Sequence, residues 1–296
     1  MLDSELHKSI RSQSAMEYLM TYGWSILIIT VILGALYSVG AFGSSNIGPR
    51  APPGNCKIFR SSGEANLEGT CGGVLPQQVA QFNGQSYVYV GSNALQMNNL
   101  ATALTVSIWA DPQSLGPNSQ YLFSNSRDSG GTYNGYNLYV SNTGVPIFLV
   151  WNLASNSVSG GTLSMNAWYQ VAGVYDGSYL YIYVNGALKN KIAYSGGVGV
   201  PSSYGALIGV LAYNYPTYYK FVGDLANLQI YNTSLDANQI QTLYIKGIGA
   251  APVDPYHIIG WWPLNGNATD YSGNNNGGAA TNVIYTGSWL SGYTPP

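Results

Sequence analysis

Few side chains in this sequence could do covalent chemistry. Beyond residue 79 its acids are Asp111, Asp128, Asp176, Asp224, Asp236, Asp254 and Asp270. A glycoside hydrolase needs two carboxyl groups facing each other across a cleft, about 5–10 Å apart. Asp176 and Asp270 sit in turn sequences, Asp236 precedes a helical stretch, and no strand-like run carries a Glu-x-Asp or Glu-x-Glu pair. Glu64 and Glu68 fall between the two cysteines, Cys56 and Cys71. His7 and His257 are the only histidines, so a Ser-His-Asp triad lacks raw material. Two cysteines and two histidines do not assemble an ordinary zinc site either. No catalytic residue is assigned and enzyme activity is not expected.

Binding is better supplied. Tyr213, Asn214, Tyr215, Tyr218 and Tyr219 surround Pro216 in one aromatic turn. Sugar rings stack on exposed aromatic faces while amides read their hydroxyls. The alternative is that these tyrosines pack against neighbouring loops. The stretch Asp270-Tyr-Ser-Gly-Asn-Asn-Asn276 offers oxygen ligands for calcium but lacks clustered acids, and turn formation is the competing role. No metal ligands and no cofactor are assigned; calcium stays open. Asn232-Thr-Ser and Asn267-Ala-Thr are glycosylation acceptor sequences.

The elements that must position these residues are strands. Charged residues make up 7% of the chain and the formal net charge is -2, which excludes the basic field a nucleic-acid partner requires. The chain has 37 glycines and 26 tyrosines, a mixture that suits short strands and tight turns. Leu104-Thr-Val-Ser-Ile-Trp-Ala110 alternates apolar and polar. Trp168-Tyr-Gln-Val-Ala-Gly-Val-Tyr175 ends at Asp176-Gly-Ser178, and Tyr179-Leu-Tyr-Ile-Tyr-Val184 ends at Asn185-Gly186. Period-two runs bounded by such turns predict hairpins, and their regular recurrence predicts a sandwich or jelly roll. Asp236 with Gln239 three residues on predicts a capped helix after the last strand.

Ahead of the strands lies a different kind of segment. No charged residue occurs between Glu17 and Arg50, and an apolar run extends from Trp24 to about Phe42. About 20 helical residues span about 30 Å, the hydrocarbon thickness of a bilayer. Tyr18, Tyr22, Trp24 and Tyr37 stand near its ends as interfacial aromatics do. Lys8 and Arg11 precede it, which predicts a cytoplasmic N-terminus and an extracellular C-terminal part. A cleaved secretory signal is the alternative, against which stand the length of the run and the lack of a prompt Ala-x-Ala site. Gly43 to Gly54 is rich in glycine and proline and reads as a stalk. Outside the cell Cys56 and Cys71 are expected to form a disulfide, closing a loop of about 15 residues for about 3 kcal/mol; two free thiols are the other reading.

Two resemblances sharpen these expectations. Arg11-Ser-Gln-Ser-Ala-Met-Glu-Tyr-Leu19 resembles the leader of archaeal type IV pilin-like proteins. That resemblance implies cleavage after Ser12, Gln13 as the new N-terminus, Glu17 as the fifth mature residue, and contacts with other pilin-like subunits through the helix. A carboxylate at the edge of an apolar helix is costly unless paired, which agrees with a functional Glu17; an interfacial glutamate in an uncut anchor is the alternative.

The ordered set Phe82-Asn-Gly84, Leu104–Ala110, Trp168–Gly177, Leu180–Gly186, Ala206-Leu-Ile-Gly209 and Phe221–Tyr231 resembles the laminin-G-like, concanavalin-A-like jelly roll. Many relatives carry an aspartate where this chain has Ala226, so no ligand role of that acid is carried over. Ile259 to Asn274 resembles the segment that normally opens such a domain; here it is expected to pack back on the same sandwich, a truncated second repeat being the alternative.

The resulting expectation is an all-β jelly-roll sandwich preceded by one transmembrane helix. Its parts are a leader (1–12), a membrane helix (13–43), a linker with the cysteine pair (44–78), the jelly roll (79–248) and a closing segment (249–296). The expected function is a membrane-anchored, pilin-like adhesin binding glycan or a surface protein. A structural envelope component and a surface glycan-processing enzyme are the alternatives.

Overall fold

The computed structural model describes residues 20, 22–33, 59–60, 67–68, 75–90, 100, 102–128, 133–201, 205–212, 219–294 and 296. The chain divides into two compact units, Met1–Arg50 and Ala51–Pro296. In the first, residues 22–33 form an α-helix with exposed side chains. At 1.5 Å per residue this described stretch covers about 18 Å. Among the described residues no helix is long and apolar enough to cross a membrane. The remainder of the apolar run, the leader residues Ser12, Gln13 and Glu17, and the cysteines Cys56 and Cys71 lie outside the described residues.

The second unit carries two large antiparallel sheets. One runs β12 (Ala187–Ala193), β11 (Tyr179–Val184), β10 (Tyr169–Tyr175), β5 (Leu104–Pro112), β14 (Val222–Tyr231), β3 (Val79–Asn83), β17 (Ile284–Thr286), with β15 (Ile258–Trp262) also on β14. The other runs β16 (Gly278–Thr281), β4 (Tyr87–Val90), β13 (Leu207–Ile208), β6 (Gln120–Asp128), β7 (Tyr133–Val140), β8 (Pro146–Asn152), β9 (Ala154–Ser159). β1 (Phe59–Arg60) pairs with β2 (Leu67–Glu68) in a separate two-stranded sheet. The expected all-β sandwich is therefore present.

Strand alternation decides what fills it. Val106, Ile108 and Ala110 of β5, Val171 and Tyr175 of β10, Tyr136 and Leu138 of β7, and Phe148 and Val150 of β8 meet in one core between the sheets. Gly173 on β10 sits where the ring of Phe148 presses closest: a Cβ there would lie 2.3 Å from two ring atoms. At the β11–β12 turn Asn185 and Gly186 adopt φ of 52° and 72°, the left-handed pair that a two-residue hairpin needs.

β5 and β14 are buried along almost their whole length, because the eight-stranded sheet is covered on its outer face as well. A helix, Ala237–Ile245, lies there, its start closed by the reciprocal bonds of Asp236 and Gln239. Leu235, Ile240 and Leu243 pack with Ala172, Val174 and Tyr231 of the sheet. Thr105 fixes the approach to that helix: its Oγ1 donates to the Thr233 carbonyl at 2.8 Å and accepts from the Leu235 N–H at 2.9 Å.

The C-terminal segment enters both sheets. β15 pairs with the second half of β14, β16 with β4, and β17 with β3. Trp261 and Trp262 are 1% and 0% exposed. Two such side chains, of about 200 Å² each at about 25 cal/mol per Å², contribute on the order of 10 kcal/mol before entropy. That is comparable to the whole net stability of a domain. Asp270 shapes the turn behind them: its carboxylate accepts from the N–H groups of Trp261, Ser272 and Asn276, each at 2.9 Å. Asn274 and Asn276 donate to the Ile259 carbonyl at 3.1 and 2.7 Å.

Gly173→Val is expected to drive a branched side chain into the Phe148 ring. The cost should be about 1–3 kcal/mol, read as a lower chemical-denaturation midpoint at unchanged slope.

Candidate functional site

The seven-stranded sheet presents a different outer face. Opposite its core residues, β6 carries Tyr121, Ser124 and Ser126; β7 carries Tyr133, Asn137 and Tyr139; β8 carries Ile147, Leu149 and Trp151. A register shift between Tyr121 and Phe123 sends both Leu122 and Phe123 into the core while leaving Tyr121 outward beside Tyr139.

Two aromatic clusters flank a polar floor on this face. At one end Tyr121 stacks on Tyr139 with centroids 4.8 Å apart, and Tyr219 meets Tyr121 edge-on at 6.0 Å. Burial pushes the Tyr121 phenol far up, with Tyr139 and Tyr219 adding to the effect, and burial raises Tyr139 as well. Both rings therefore stay neutral at any physiological pH. At the other end Tyr133 stacks on Trp151 at 4.7 Å. All five rings are half-buried. Tyr133 and Tyr139 are six positions apart on one strand, which separates the clusters by about 20 Å.

Between them Asn137 Oδ1 accepts from Ser124 Oγ at 2.6 Å and from Ser126 Oγ at 2.9 Å. Ser124 Oγ in turn accepts from the Ala212 N–H at 3.0 Å, so the chain after β13 crosses the floor. Asn137 Nδ2 is buried without a hydrogen-bond partner. A buried donor left unpaired costs about 1–3 kcal/mol, so this amide favours any oxygen that reaches it. Ser124, Ser126 and Asn137 are buried, so what this face offers a polyhydroxylated ring is stacking on the half-buried aromatic rings, with the unpaired Asn137 amide beneath them.

Of the residues singled out from the sequence, Tyr219 belongs to this face, with φ 61° and its carbonyl accepting from the Tyr121 N–H at 3.4 Å. Tyr213, Asn214, Tyr215 and Tyr218 lie outside the described residues. Tyr121, Tyr133, Tyr139, Trp151, Ser124, Ser126 and Asn137 escaped sequence reasoning. Their signal was the second phase of the same alternation that marks the core, most visibly Tyr133, Asn137 and Tyr139 at even spacing.

Two of the acids are occupied elsewhere. Asp176 accepts from the N–H groups of Ser178 and Tyr179 and from the Tyr181 hydroxyl, at 2.8, 2.7 and 2.7 Å. Against the upward push of burial, these bonds hold its carboxyl below the ordinary range. Asp254 pairs with His257 Nδ1 at 2.7 Å. Among the described residues no group of three or more His, Cys, Asp or Glu is placed to hold a metal.

Several solved structures are similar to this chain to different degrees. A proposed carbohydrate-binding protein of Bacteroides ovatus superposes with a TM-score of 0.54 at 16% identity, over 72% of this chain and 61% of that one. This chain thus spans about three-fifths of that protein's length. The CBM40 module of a Ruminococcus gnavus sialidase matches over 56% of this chain and 96% of its own, at 16% identity and a TM-score of 0.49. A pentraxin of Limulus polyphemus matches over 71% and 94%, at 17% identity and a TM-score of 0.47. Comparison with curated protein sequences gives no match. The laminin-G family model of the concanavalin A-like lectins and glucanases matches residues 82–241, from the end of β3 into the helix after β14, and the chain belongs to that superfamily.

Proposed function

We propose that this protein is a glycan-binding surface protein whose binding face is the outer surface of the seven-stranded sheet. One observation carries the reading: two half-buried aromatic clusters flank a floor of Ser124, Ser126 and Asn137. A separation of about 20 Å suits an oligosaccharide lying along the strands rather than a single sugar. Membership of a lectin-containing superfamily and the fold shared with the Bacteroides protein support the same reading. The reading is of binding without turnover: Asp176, Asp254 and Asp270 are committed to turns away from this face, and the one strand acid in register with it, Asp128 opposite Tyr133, has no second acid beside it on β6 or β7.

Glycan-array screening of the detergent-solubilised full chain tests it. Selective binding to oligosaccharides is expected, and Trp151→Ala or Tyr139→Ala should each weaken it about tenfold, or about 1.4 kcal/mol. Absence of binding to every glycan class, or binding indifferent to both substitutions, would refute this face as the site.

The proposal extends to the N-terminus. The charge-free stretch between Glu17 and Arg50 supports a single membrane helix within 13–43, with the N-terminus cytoplasmic and the β unit outside. The pilin-like leader supports cleavage after Ser12 and packing against other such subunits, with Glu17 set against a freed Gln13 amine. An exterior location favours a Cys56–Cys71 disulfide. Mass spectrometry of the protein purified from its membrane should give a first residue of Gln13. An intact Met1 would remove the pilin-type assembly while leaving the anchor.

A further inference from the structure

On the outer face of the eight-stranded sheet, away from the aromatic face, two acids stand side by side. The register places Asp224 of β14 directly opposite Asp111 of β5 on one side and Gln81 of β3 on the other. Residues so paired point to the same face with Cβ atoms about 4.5–5.5 Å apart, and like charges there repel. Each aspartate is 4% exposed. Gln113 Nε2 donates to Asp224 Oδ2 at 3.1 Å and also reaches Asp111, the Gln81 side chain hydrogen-bonds Asp224, and the Ala167 N–H donates to Asp111. Oδ1 of Asp111 and Oδ1 of Asp224 are both buried with no hydrogen-bond partner.

No positive charge answers them. Among the described residues the one ion pair is His257 with Asp254. An uncompensated buried carboxylate costs several kcal/mol, and two in register cost more. The other polar side chains on this face of the sheet are matched: Ser107 with Gln170, Thr105 with the helix approach, Asn227 and Gln229 with the Ala250 carbonyl.

We propose that Asp111 and Asp224 are the carboxylate ligands of a divalent-cation site of the calcium class, joining β5 to β14. The two unpartnered Oδ1 atoms are the direct donors, Gln113 and Ala167 hold the carboxylates in place, and water completes the hard-oxygen shell that calcium takes. With two carboxylates the site is weak, in the range of about 0.1–1 mM found in extracellular modules. The ion braces the central strands and takes no part in glycan contact.

A shared proton is the competing answer, and its signature differs. Burial, and for Asp111 also the neighbouring Asp224, pushes each carboxyl up from 3.8 to about 6. Without an ion the folded state then holds protons that the unfolded chain releases. That stability is complete below about pH 4 and lost as the pH rises through about 6. Terbium(III) luminescence excited through tryptophan separates the two, since Trp109 shares the face two residues from Asp111.

For the chelator-stripped full chain at about pH 7.5, saturable terbium emission displaced by calcium is expected, with a Tm that rises on adding about 10 mM calcium. Asp111→Asn and Asp224→Asn should each weaken terbium binding at least about tenfold, while the unchanged far-ultraviolet dichroism of each variant shows that it has folded. Absence of terbium emission and of any calcium effect on Tm would overturn the cation and assign the shared proton. Emission that persists in both variants would overturn it equally, by placing the ion elsewhere.

Discussion

The structure depends on a pair of strands that see no solvent on either side. β5 and β14 lie at the centre of the eight-stranded sheet, with the sandwich core beneath and the helix and C-terminal segment above. Burial on both faces presses each outward polar group toward a partner from a crossing segment, and outside the Asp111–Asp224 pair they find one. Thr105 takes the backbone before the helix, and Ser107 takes Gln170. Asn227, at φ 50°, binds the Ala250 carbonyl and accepts from the Trp261 indole at 2.7 Å. Gln229 joins it and receives the Tyr231 hydroxyl. Covering the sheet and satisfying these groups are one requirement, and for Asn227 and Gln229 the loop of 246–257 meets both.

That requirement separates the duties of the two sheets. The outer face of the eight-stranded sheet is consumed by its own chain: Trp109 stacks on Tyr244 at 5.8 Å, Trp168 meets Trp289 edge-on, and the Trp168 indole donates to the Trp289 carbonyl at 3.0 Å. The outer face of β6, β7 and β8 instead keeps half-buried rings over a hydroxyl and amide floor. Aromatic residues of similar number thus serve cohesion on one sheet and exposure on the other. Their surroundings, not their type, distinguish the two roles.

What sequence could disclose follows from the range of the interactions. Alternation within β5, β10 and β11 is local, as is the Asn185-Gly186 turn, and both are readable because the residues that report them are adjacent in the chain. The lectin-like fold follows from the order of such pieces. The aromatic face is harder, because Tyr121, Tyr139 and Trp151 are united only by the β6–β7–β8 register, and a register shift at Tyr121 breaks the simple alternation. The opposition of Asp111 and Asp224 is harder still. Each sits in its own strand as an isolated acid, and only the pairing of distant strands makes them neighbours.

The same logic explains why β14 needs two partners on one side. β3 accompanies it only from Val222 to Leu225, and β15 takes over from Leu228 to Tyr231. Between them the register against β5 slips, Asn227 turns through a left-handed conformation, and its N–H reaches the Pro263 carbonyl at 3.1 Å. A strand end beside β14 would leave unpaired backbone groups in a buried setting, which costs more than an exposed edge does. β15 removes that cost while bringing Trp261 to the outer layer and Trp262 to the inner core. The C-terminal segment is therefore part of the sheet's hydrogen bonding and of both its hydrophobic layers at once. The seam at Ala226–Asn227 is where those two demands are reconciled.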